Sequence, residues 1–316
     1  MIVIDESFNK VIEALEKISG RYYFAGRLEE GLQVVQGGLT WRGVAEFTAA
    51  LEGRLLVQQV RLMTANNFLG RGEFEETAEV LQAVTELAES HEIDALRAAG
   101  YQAVGWFRYC RTMREGSGEY ADGLEPLQKA LALWGKLDES LGVCEATFYS
   151  GLIYERLGEL EEAKRLYTES ERMAEQNQFQ LAQSYALRHL AFVAYRQGET
   201  ERVRPLLEQS LAIRRAIGFE LFLPFSYTSL ADFALMEGDV ETAERLLGEA
   251  AEVTERLGYE MMTMFVNLSQ ARLSQSQNRL DMAREAFEKA LHLAELVGHS
   301  AAFQQAEEGL QAVGER

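Results

Sequence analysis

Four histidines, two cysteines and several arginines beside aromatic residues are the side chains of this 316-residue chain that could carry chemistry. His91 is followed by Glu92, but no second histidine stands four residues after the first, so the helix-borne zinc-hydrolase pattern is missing. His292, Glu295 and His299 fall at helical spacing, an arrangement that offers a weak metal site at best and otherwise reads as plain surface. No Ser/His/Asp or Cys/His set assembles from the spacing, and no Gly-x-Ser-x-Gly occurs. The expectation is therefore a non-enzyme without catalytic residues, cofactor or metal. Cys110 and Cys144 give no disulfide framework in a chain this long, and their apolar neighbours mark them as buried free thiols. The EGSGE run at 115–119 is Gly-rich like a phosphate-cradling loop, but no strand precedes it, and that reading is rejected.

The elements that would position these groups repeat. Gly158 has a small residue seven before it (Gly151), Ala163 five after, Tyr167 nine after and Ser170 twelve after. Steps of about forty residues return the frame at Gly198, Gly238 and Asn278, and backwards at Gly118, where Arg111 breaks the small position. Steps of about forty-six reach Gly72 and Gly26, giving seven units in all. Gly or Asn at the anchor ends a helix in the left-handed conformation. Small residues let two antiparallel helices approach, and the large one fills the groove between neighbours. A second turn falls twenty residues past the anchor, at Asp138, Gln178, Gly218, Gly258 and Gly298.

This small–Gly–Ala–large–small pattern resembles the tetratricopeptide repeat (TPR), in the longer variant of roughly forty residues found in kinesin light chains, maltose-regulator-type factors and pheromone-sensing regulators. The pattern covers essentially the whole chain, is strong in five units and weaker in the first two, and lacks the proline that usually closes each unit. The resemblance implies an all-α, right-handed superhelical solenoid of about seven helix pairs. Residues 1–316 would form a single array, with 299–316 a polar-faced capping helix. Helices are expected at 1–19, 28–37, 44–69, 73–94, 95–114 and 299–313. Pro126 and Pro205 should lie in opening turns, and Pro224 should start the helix near Phe225.

Composition narrows the function. Lys and Arg number 31 against 50 Asp and Glu, a net charge of −19 that argues against nucleic acid as the whole-molecule partner. The start, MIVIDESFNK, has no signal-peptide pattern and no stretch is apolar enough to span a bilayer, so a cytoplasmic protein without a membrane partner is expected.

In TPR proteins the first helix of each pair lines the concave groove, so the resemblance places groove positions ten, six, three and two residues before each anchor. They select Arg108, Phe148, Arg156, Arg188, Phe192, Tyr195, Arg196 and Arg272, with Thr228, Asp232 and Leu268 among their counterparts. Aromatics beside arginines suit a peptide with acidic, extended segments. The competing reading has Phe148 and Phe192 filling the core and the arginines pairing with neighbouring acids. The chaperone-clamp subtype is excluded, because Phe192 and Ser229 occupy its asparagine places. The expected function is a protein- or peptide-binding scaffold; the alternative is a peptide-sensing module of a larger regulator. Self-association through a terminal repeat stays open.

Overall fold

The backbone turns where the repeat demands it. All seven anchors take positive φ: Gly26 +70°, Gly72 +76°, Gly118 +82°, Gly158 +82°, Gly198 +79°, Gly238 +81° and Asn278 +58°. The second turns follow at Asp138 (+55°), Gln178 (+60°), Gly218 (+66°), Gly258 (+68°) and Gly298 (+71°). Glu92, at +52° and twenty residues past Gly72, is a member of this second set that the sequence pattern did not single out.

In the computed structural model, which describes residues 4–314, these turns separate fifteen α-helices. They are α1 (Ile4–Phe24), α2 (Leu28–Leu39), α3 (Ala49–Phe68), α4 (Phe74–Ser90), α5 (Asp94–Glu115), α6 (Leu124–Lys136), α7 (Ser140–Leu157) and α8 (Leu160–Asn177). There follow α9 (Gln180–Arg196), α10 (Thr200–Ala216), α11 (Leu223–Met236), α12 (Val240–Leu257), α13 (Glu260–Ser276), α14 (Leu280–Leu296) and α15 (Ser300–Gly314). The described residues contain no strand, so the all-α repeat architecture holds: seven sequential pairs and a last single helix. Residues 1–3 and 315–316 of the expected end helices lie outside the described part.

Two compact units are distinguished, one up to Arg111 and over Gly118–Ala182, the other comprising Thr112–Ser117 and the residues from Gln183 onward. In the second unit Arg114 Nε donates to the Val297 carbonyl at 3.2 Å.

Small residues seven before the anchor (Ser19, Ala191, Ala231 and Ala271) and residues five after it (Ala163, Ala243 and Ala283) are all 0 % exposed. Tyr167, Val35 and Leu127 fill the large position and are fully buried, each removing enough apolar surface to contribute about 2 kcal/mol. In the first unit, Arg54 on α3 donates to both carboxylate oxygens of Glu16 (2.9 and 2.5 Å) and to Asn9 Oδ1 (2.6 Å), tying α1 to α3.

Three expectations need correction. The helix expected over 44–69 starts at Ala49, because 40–48 turns instead; Thr48 caps α3, and Phe8, Trp41 and Phe47 pack their rings at 5.7–6.4 Å beside the turn. Pro205 lies inside α10, beyond the opening turn where its missing N–H would go unused. Of the last helix's inward residues, Ala306 is buried but Phe303 and Leu310 are only half-buried, while Gln304, Glu307, Glu308 and Gln311 face outward as expected.

Candidate functional site

In the second unit the first helices α9, α11 and α13 present the candidate residues. Arg188 Nη2 donates to Ser229 Oγ at 2.9 Å and to the Phe225 carbonyl at 3.4 Å. Its guanidinium stacks 4.5 Å from the Phe192 ring centre, and the His189 ring meets Phe192 edge-on at 5.4 Å. Phe192 remains half-buried. Tyr195 is 45 % exposed, with its ring against Phe233 at 6.5 Å, and Arg196 beside it is exposed. Arg272 Nη2 pairs with Asp232 Oδ2 at 2.7 Å and donates to Ser269 Oγ at 3.1 Å. This pair is roughly one-third exposed on each side, so solvent screens it, and a ligand carboxylate would have to displace Asp232 to use Arg272.

Not every selected position is open. Thr228 is 6 % exposed and Leu268 0 %, so both are core residues, and α13 is buried on most sides. The pattern also missed an aromatic line. Phe222, Phe225 and Phe265 follow one another at 5.8 and 5.5 Å, and His299 closes it at 5.4 Å from Phe265. Its signal was present: Tyr185, Phe225 and Phe265 recur at forty-residue steps, thirteen before each anchor.

The first unit holds the remaining candidates in a more self-contained way. Phe148 is 4 % exposed and packs on Tyr149 (5.8 Å) and Tyr167 (5.5 Å), so its ring belongs to the core of the pair. Arg108 is exposed, but its Nη1 donates to the Asp122 carbonyl at 2.6 Å. Arg156, exposed at the surface, hydrogen-bonds Tyr109, and its interaction with that phenol holds the guanidinium above its ordinary value. Burial in turn pushes the Tyr109 phenol up to about 12, with Arg156 opposing. Trp106 stacks on both Tyr109 (5.8 Å) and Tyr149 (5.1 Å).

Chemistry at the cysteines is suppressed. Both thiols are free and buried; burial pushes Cys110 well up and Cys144 to about 11, so neither is a ready thiolate. Among the described residues no three or more His, Cys, Asp or Glu side chains are placed to hold a metal ion. His299 serves locally instead, its Nδ1 accepting from the Ala302 N–H at the start of α15 (3.1 Å).

Two models described as tetratricopeptide repeat match residues 150–177 and 184–217. No curated protein matches in sequence. Among solved structures, the apo form of RapI is similar at 11 % identity over 97 % of this chain and 87 % of that one, with a TM-score of 0.58. The apo form of the quorum sensor NprR from B. thuringiensis is 9 % identical over 100 % of this chain and 88 % of its own, with a TM-score of 0.54. A Rap protein complexed with competence and sporulation factor is 10 % identical over 97 % and 98 % of the respective chains, with a TM-score of 0.51. At these identities the likeness is one of fold.

Proposed function

This chain is a tetratricopeptide-repeat protein, and from that premise we propose that it is a non-enzymatic scaffold binding a protein or peptide along the first-helix faces of its repeats. The reading takes 1–316 as one repeat array in the cytoplasm. The observation that carries it is the strip on α9, where Arg188, Phe192, Tyr195 and Arg196 stay half-buried or exposed within one repeat. Its aromatics supply apolar anchors. Its arginines favour an acidic, extended segment over a basic one. Arg188 is already fixed by Ser229 and Phe192, so a bound carboxylate would meet a preorganised donor and little side-chain freedom would be lost. Arg272 and Arg108 contribute less, since Asp232 and the Asp122 carbonyl hold them.

A second reading, a peptide-sensing module of a regulator, is favoured by the fold shared with the quorum sensor NprR and with the Rap protein that carries competence and sporulation factor.

Capture from native lysate at low and moderate salt, with mass spectrometry covering proteins and short peptides, tests both. A salt-sensitive acidic protein supports the scaffold and a short peptide supports the sensor. A basic or nucleic-acid partner, or a co-purifying cofactor in place of any partner, contradicts them.

A further inference from the structure

The first helices α3, α7, α9 and α11 bury the residues twelve and eight before their anchors, and α11 buries the residue fifteen before as well. In α11 this stripe is Leu223 (7 %), Ser226 (3 %) and Leu230 (4 %). The preceding second helix covers it: Arg214 of α10 donates to Ser226 Oγ at 2.7 Å, and Leu207 and Leu211 share its apolar cluster. The last two of these places are buried in α3, where Val60 and Thr64 are 0 % exposed, and in α7, where Ala146 is 0 % and Ser150 5 % exposed, while Val57 and Val143 at the first place are half-buried.

In α1 these places fall to Val11, Ala14 and Ile18. They are apolar, yet Val11 is 41 % exposed, Ile18 43 %, and Ala14 is exposed as well. The opposite side of α1 is occupied, with Ile12 fully buried and Glu16 held by Arg54 of α3. Helical geometry puts Lys10, Lys17 and Arg21, all exposed, along one edge of the open stripe. Lys10 pairs with Glu6; among the described residues Lys17 and Arg21 make no ion pair. A basic-edged apolar stripe thus stands out on a chain of net charge −19.

We infer that this face of α1 docks an acidic amphipathic helix of a partner protein, seated as the second helix of a preceding repeat would be. The repeat register fixes its position, since the counterparts of Ala14 and Ile18 in α3, α7 and α11 are buried and that of Val11 is buried in α11 and half-buried in α3 and α7. Charge fixes its chemistry, because the basic edge attracts an acidic helix and repels a basic one. A flat stripe of three small-to-medium apolar residues suits a helix better than an extended strand. This surface is formed by residues other than those of the strip on α9.

The probe is a labelled synthetic peptide with the α12 sequence, Val240–Leu257, an acidic second helix whose buried Leu247 and Thr254 stand where Leu207 and Arg214 stand in α10. Anisotropy titration against the full chain should show binding that weakens at least about tenfold in the Val11→Glu/Ile18→Glu double variant. Lys17→Glu with Arg21→Glu should weaken it by roughly threefold or more and favour a peptide whose glutamates are replaced by lysine. All four positions are exposed, so circular dichroism and melting should match the wild type. Absence of peptide binding, or binding indifferent to both double variants, overturns the inference. So does sedimentation showing that the chain alone self-associates through Val11 and Ile18, because a second copy would then be the occupant.

Discussion

A β-carbon on Gly151 would stand 2.7 Å from Cε1 of Tyr167, a ring that is 0 % exposed and whose hydroxyl donates to Glu155 at 2.7 Å. The ring has little room to withdraw. Gly151→Ala should therefore lose about 1–3 kcal/mol despite the better helix propensity of alanine. A β-carbon on Gly248 of α12 would meet nothing within 4 Å beyond its own helix backbone, so Gly248→Ala should gain about 0.5–1 kcal/mol. Urea midpoints at unchanged slope report both, and equal signs would refute the close approach as the cause.

The turn residues make a second series. Gly238 at φ +81° should lose about 1 kcal/mol or more as Ala, whereas Gln178 at +60° should gain about 1 kcal/mol as Gly. Thermal unfolding would rank them in that order. A more stable Gly238→Ala variant would mean that the turn relaxes out of the left-handed region.

The anchors, the small approach positions and the large filling residues were legible because backbone conformation and helix spacing act locally and recur. Side-chain partners were not. Nothing around Arg108 or Arg156 in the sequence announces the Asp122 carbonyl or the Tyr109 phenol, which tertiary packing brings across. Arg272 and Asp232 lie forty residues apart at the same repeat position and meet only because successive first helices are neighbours. Phe148 and Phe192 occupy the same face by spacing, yet one is core and the other half-buried. Arg214 looks like one of two surface arginines before a turn, and the structure buries it to 1 %.

That burial yields a third prediction. Arg214 donates to Ser184 Oγ (3.2 Å), Ser226 Oγ (2.7 Å) and the Phe222 carbonyl (3.3 Å), and lies 4.7 Å from the Tyr185 ring centre. Arg214→Ala should cost about 3 kcal/mol by leaving buried acceptors unmet and a void. Lysine should rescue it only in part, since one ammonium cannot reproduce the planar fork. A loss below about 0.5 kcal/mol in chemical denaturation would show that the node is dispensable.

Alkaline pH should unfold the first unit. The Tyr109 phenol titrates near 12 when folded against about 10 unfolded, so the folded state keeps a proton that the unfolded state releases. Its contribution is complete below about pH 10 and is lost as pH rises toward 12, about 3 kcal/mol across the window. Tyr149 and Tyr167, also raised by burial, act in the same direction. Absorbance of phenolate should therefore rise cooperatively with loss of helicity, and Tyr109→Phe should move the transition to higher pH. Independent, gradual titration with helicity intact would contradict this.

The central claim, binding on the first-helix strip of α9, is tested most directly with two pools of labelled extended peptides of equal aromatic content, one rich in Asp and Glu and one in Lys and Arg. Arg196 is exposed, and the melting temperature of Arg196→Glu is read beside its binding; Arg188→Glu removes the bond to Ser229. The account predicts that the acidic pool binds preferentially and loses about tenfold in affinity with Arg196→Glu. Equal binding of both pools, or acidic binding untouched by Arg196→Glu, would contradict it.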